Sequence, residues 1–272
     1  MKPLHDTATH TGGHAGDGVE TILPLAVLVL LAAGYLVLAA RRRKEPLGWS
    51  SWRTASFLTG TGLLALALTP ALSPFPAGDF RGHMYQHLLI GMYAPLALVL
   101  SAPVTLALRS LPRRHGRIIG RALRSPPIRV LAHPVTALIL NLGGLTLLYF
   151  TPLYTLTTQS QTLHHLVHLH FLAAGYLFAY AIAGPDPAPH RPTVPARLVI
   201  LGVAIAGHAV LAQLLYAGLF IRVPVPVAEL RGAGDMMYYT GDIAELLLAL
   251  ALITTWRPQR IDARTHGAAQ HT

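Results

Sequence analysis

Seven stretches of this chain run apolar for about the 20 residues that a membrane-crossing helix requires. They cover 21–40, 54–70, 83–108, 131–151, 162–183, 198–220 and 236–256. The pattern predicts an all-α polytopic bundle of seven transmembrane helices. The third stretch is long enough to be tilted or broken, and Pro95 and Pro103 within it (MYAPLALVLSAP) predict a kink or irregular segment. Domain organisation follows: a polar tail 1–20, a transmembrane domain 21–256 and a basic tail 257–272.

Charge adds an orientation. Lys and Arg collect in the connection 41–53 (Arg41, Arg42, Arg43, Lys44, Arg53), in 109–130, in 184–197 (Arg191, Arg197) and in the C-terminal tail (Arg257, Arg260, Arg264). The alternate connections hold only Lys2, Arg81, Arg222 and Arg231. Basic residues mark the cytoplasmic side, so the N-terminus is expected outside and the C-terminus in the cytoplasm. The competing reading of the first stretch as a signal peptide fails because its positive charge follows the apolar run and no small-residue cleavage site is evident.

Composition agrees with a membrane protein: 53% hydrophobic and 12% charged residues, against about 25% charged in soluble domains. The net charge of +10 is spread over short loops, which fits topology and anionic lipid and argues against nucleic acid as a partner. Cysteine is absent, which excludes disulfides, thiolate metal sites and C-x-x-C-H haem attachment. A metal here must use histidine, methionine, carboxylate or backbone ligands.

Histidine is where the chemistry concentrates. Residues 161–171, QTLHHLVHLHF, place His164, His165, His168 and His170 at the start of the fifth span, and ionisable groups at membrane depth are usually functional. His83 and His87 in RGHMYQHLL repeat the i, i+4 spacing of His164 and His168, so each pair projects from one helix face. At ~1.5 Å per residue, His87 lies roughly 6 Å deep, His168 and Asp242 roughly 9 Å, Glu245 roughly 13 Å and His208 roughly 18 Å. Imidazole and carboxylate are thus expected to converge in the outer half of the bilayer, with Asp242 or Glu245 as an additional ligand or as the acceptor that holds a ring. Met84, Met92, Met236 and Met237 lie near the same end, and thioethers favour copper(I) over zinc.

Each element also has a plainer reading. His133 and His208 fit interhelical hydrogen bonds, Met84 and Met92 fit packing, and Gly184-Pro185-Asp186-Pro187 reads as a structural stop to the fifth helix. His5, His10 and His14, with Asp6 and Asp17, fit a solvated, disordered tail better than a metal collector.

Together the segments HMYQHLLIGMYAPLALVLSAP (83–103), AHP (132–134), HHLVHLHFLAAGYLFAYAIAGPDP (164–187), HAVLAQ (208–213) and GDMMYYTGDIAELL (234–247) resemble the CtaG family of caa(3)-type cytochrome c oxidase assembly factors. The similarity runs over about residues 20–256. It implies a multi-pass protein of the bacterial cell (inner) membrane that serves haem-copper oxidase biogenesis, with copper delivery as its role and oxidase subunits as partners. By position, His83, Gln86 and His87 match the first motif, His164, His168 and Phe171 the second, Gly184, Asp186 and Pro187 its closing loop, and His208 the sixth-helix histidine. Gly232, Gly234, Met236 and Met237 match a glycine-rich, methionine-containing turn before the last helix, although D-M-M-Y-Y stands where tryptophan is more usual.

The expected metal set is therefore His83, His87, His164, His168, Asp242, Glu245 and His208. Two other classes compete: a haem b electron carrier, which needs histidine pairs at both ends of the bundle, and a metal or ion transporter, which needs an inward polar route. No nucleophile with base and orienting acid is visible, so the reading is not an enzyme.

Overall fold

The computed structural model describes the backbone of residues 14–188 and 191–256, with side chains from Ile22 onward except that of Arg113. His5, His10, Asp6 and the C-terminal arginines lie outside the described residues, as do the side chains of His14 and Asp17. Among the described residues the chain is all helical, without strands.

The helices are α1 (His14–Arg43), α2 (Ser51–Ala67), α3 (Phe80–Leu88), α4 (Ala94–Leu100), α5 (Pro103–Ser110), α6 (Arg113–Leu123), α7 (Pro126–Leu131), α8 (Pro134–Phe150), α9 (Leu153–Gln159), α10 (Gln161–Ala183), α11 (Val194–Ala217) and α12 (Val227–Thr254). Five segments are long and apolar enough to cross a membrane: Ile22–Arg43, Phe80–Ser110, Gln161–Ala183, Val194–Ala217 and Val227–Thr254. A sixth is counted if α8 and α9, bent by 77° at their junction, act as one span. The remaining expected span, α2, has 17 helical residues, about 25 Å against a hydrocarbon core of about 30 Å.

The break expected in the third span is real and has two parts. Pro95 has no N–H to bond the carbonyl of Gly91, and the chain answers with a π-helical turn over Leu89–Tyr93, in which the amide of Ala94 bonds Leu89 instead. Ala102 then adopts a left-handed conformation, φ 53°, ahead of Pro103. Asp186 secures this corner: its buried carboxylate accepts from the amides of Val104 (3.0 Å) and Thr105 (2.7 Å) and from the Thr105 hydroxyl (2.6 Å). The structural reading of Asp186 thus holds.

α11 packs along α12, α2 along α4, and α8 along α10. The core divides along the bundle. Phe80, Met84, Tyr149, Phe171, Leu215 and Met237 fill one end, which confirms Met84 as a packing residue. Val99, Ala137, Phe178, Ile182, Leu201 and Leu252 fill the other. Large apolar side chains left exposed on α1, α11 and α12, such as Leu30, Val203 and Leu250, are those that suit a lipid environment.

The expected glycine-rich turn before the last helix is instead helix. α12 begins at Val227, and its glycines serve close approach: a Cβ on Gly234 would press on the backbone of Tyr216, and one on Gly232 on the side chain of Arg81.

Candidate functional site

The start of α3 is anchored before any histidine is placed. Asp79 caps the helix by accepting from the Arg81 amide at 2.8 Å, and Glu229 of α12 accepts from the Phe80 amide at 2.9 Å. The Arg81 guanidinium bonds the Asp79 carboxylate and holds its pKa below the ordinary value.

His83 follows on this turn. Its ring stacks on Phe80, with centroids 5.6 Å apart, and its Nε2 lies 3.4 Å from the Tyr149 hydroxyl. It shares with His164, Gln86, Asp79 and Tyr154 a pocket of about 300 Å³ at this end of the bundle. Two histidines from α3 and α10, distant in sequence, therefore face one space. One turn further along α3, His87 is buried edge-on against Phe171, with ring centroids 4.5 Å apart. On α10 the rings of His164 and His168 sit 4.2 Å apart.

The other two histidines of the α10 run point elsewhere. His165 is exposed and bonds the Gln161 amide, while His170 bonds the carbonyl of Leu140 at 3.1 Å. His133 does not bridge helices as expected. Its Nδ1 accepts from the Val135 amide and caps its own helix α8, because the following Pro134 places it at the N-cap. His208 also departs from the hydrogen-bond reading: it is 2% exposed, neither ring nitrogen has a partner, and its ring rests against Gly241 of α12.

Unpartnered polar atoms distinguish this region. Six of the ten buried side-chain polar atoms without a hydrogen bond, counted among the described residues, belong to it: His87 Nδ1, His168 Nε2, both nitrogens of His208, Asp242 Oδ1 and Glu245 Oε2. Each stranded group disfavours the fold by about 1–3 kcal/mol, so a cluster of them implies a partner such as water or an ion. The donor chemistry, neutral imidazole above all, suits copper or zinc. The geometry is looser than expected: among the described residues no three His, Asp or Glu side chains converge closely enough to hold one metal ion. Of the seven expected ligands, His83 and His164 share the pocket, His164 and His168 stand ring to ring, and Glu245 lines a different cavity.

Glu245 stands apart from the histidines. It lies one turn beyond Gly241 on α12 and lines a cavity of about 30 Å³ with Asn141, Met92 and Gly91. Asn141 was missed in the sequence, although a lone amide inside the apolar stretch 131–151 was a readable signal. Tyr149 and Tyr154 had no such signal, since aromatics at helix ends are common membrane anchors.

Comparison with known proteins gives the site a family context. The family model described as cytochrome c oxidase caa3 assembly factor matches residues 33–259. An uncharacterized protein of Mycobacterium bovis and one of Mycobacterium tuberculosis are each 31% identical over 250 residues, covering 85% of this chain and 38% of the relative. An uncharacterized protein of Mycobacterium leprae is 29% identical over 268 residues, covering 91% of this chain and 41% of its own length. The chain thus spans about two fifths of the length of these relatives. No solved structure matches.

Proposed function

The chain belongs to the cytochrome c oxidase caa3 assembly factor family, and from that premise we propose that its histidine-rich end takes up copper and passes it to an oxidase subunit during assembly. Copper is the cargo. In this reading the protein sits in the bacterial cell membrane with seven spans, α2 and the bent α8–α9 pair included, the N-terminus outside, and basic loops against anionic lipid. Its role is non-catalytic.

The observation that carries the reading is the shared pocket. His83 of α3 and His164 of α10 line one space at the bundle end, and His87 and His168 lie a turn below each of them with buried, unpartnered nitrogens. Copper(I) accepts few, soft or imidazole ligands, and a file of paired rings suits a cargo that must be held and then released better than one closed cage. Gln86, whose amide donates to the Ala67 carbonyl at 3.0 Å, fixes the α3–α2 side of the pocket. Asp242 and His208 extend the file inward.

The haem-carrier alternative loses one ligand at the opposite end, since His133 is committed to capping α8.

Copper retention by the purified full chain tests the proposal. Wild type, the double variant His83→Ala/His164→Ala and the control His165→Ala are loaded with copper(I) and desalted, and oxidase activity is measured in cells carrying each. The double variant should lose retained copper and oxidase maturation while His165→Ala keeps both. Equal copper in wild type and double variant, or full oxidase activity in the double variant, overturns the reading.

A further inference from the structure

The cavity in the middle of the bundle has a different donor set from the histidine file. Pro95 has no N–H to return to the carbonyl of Gly91, and that carbonyl oxygen stands where a Cβ on Gly175 would lie, so α10 meets the π-helical turn backbone to backbone. Gly91, Gly175, Asn141 and Glu245 all line the same space of about 30 Å³. Glu245 is 5% exposed, and its Oε2 has no hydrogen-bond partner. Among the described residues no Lys, Arg or His forms an ion pair with it, and a second acid, Asp242, stands three residues before it on α12.

Oxygen donors set the chemistry. A carboxylate, an amide oxygen and a backbone carbonyl are ligands for hard cations, and carbonyls beside a broken membrane helix are a recurring way to coordinate Na⁺. The volume admits about one water-sized occupant, and one buried carboxylate is neutralised by one monovalent charge. We propose that Glu245, Asn141 and the Gly91 carbonyl form an intramembrane site for a sodium ion, separate from the histidine pocket and about one helical turn beyond His208. The site fastens α12 and α8 to the π-helical turn between α3 and α4.

The test uses the full chain in detergent. Thermal unfolding is followed in sodium chloride and in choline chloride at equal ionic strength, and sodium NMR line width is measured on the same samples. Wild type should show a saturable rise in midpoint with sodium and a broadened sodium line. Both should be lost in Glu245→Gln and in Asn141→Leu, and both kept in His83→Ala/His164→Ala. That last variant separates this site from the copper reading, since either can fail alone. An unbroadened sodium line with wild type overturns the proposal even if the variants do not fold. So does an unchanged increment in Glu245→Gln, or a midpoint that follows pH and ignores sodium, which would mark Glu245 as a protonated acid beside a water.

Discussion

Replacing Asp186 by Ala should unfold the protein at a clearly lower temperature without touching the histidine pocket. The carboxylate is 2% exposed and accepts three hydrogen bonds, from the amides of Val104 and Thr105 and the hydroxyl of Thr105. Truncation strands the two amides at about 1–3 kcal/mol each, and the Thr105 hydroxyl loses a charged acceptor. The sum is about 4 kcal/mol. At roughly 2–4 °C per kcal/mol for a domain of this size, the midpoint should fall by about 10 °C in detergent. Asp186→Asn keeps one acceptor oxygen and should fall by about half as much. Circular dichroism melting of the three proteins reads this directly. An Ala variant within about 2 °C of wild type would refute the argument that this carboxylate secures the corner at Ala102, and with it the structural reading of the Gly184–Pro187 segment.

Three further outcomes follow from the geometry. His208→Leu removes two buried nitrogens that have no partner, so the melting midpoint should stay level or rise while oxidase maturation falls; a drop of more than about 2 kcal/mol in stability would mean the ring is held by contacts the structure does not contain. Gly241→Ala places a methyl group against the His208 ring and should weaken copper retention without removing any ligand; unchanged retention in the folded variant would separate His208 from the file. Asp79, whose folded pKa is lowered by Arg81, contributes stability that is present above the ordinary carboxylate value and lost as pH falls through the folded one. The acid limb of the melting curve below about pH 4 should therefore flatten in Asp79→Asn, and an identical limb in both proteins would show that the cap carries no linkage.

Apolar periodicity and the placement of Pro and Gly were enough to announce the helical class, the ends of α10 and the break in the third span, because those features depend on local backbone chemistry. The stop after Ala183 comes from the residues that follow it, and the disturbance before Pro95 from a missing N–H. The pairs His83/His87 and His164/His168 were legible for the same reason: a four-residue spacing shares a helix face wherever the helix goes.

Facing between helices was not legible. Nothing local distinguishes His170, which bonds the Leu140 carbonyl, from His168 two residues earlier, which is left without a partner. The same holds for His133 and His208, both read as bridging hydrogen bonds, of which one caps its own helix and the other rests against Gly241 with neither nitrogen bonded. Counting depth along each span put His87 and His168 in one layer, and the structure packs the His87 ring against Phe171 of the same helix as His168. That count could not say that Glu245 would turn away to a cavity with Asn141 and Gly91. Rotation of a helix about its axis is decided by how small residues such as Gly91, Gly175 and Gly241 let neighbouring spans approach, and that is a property of pairs of helices that a linear order of residues does not contain.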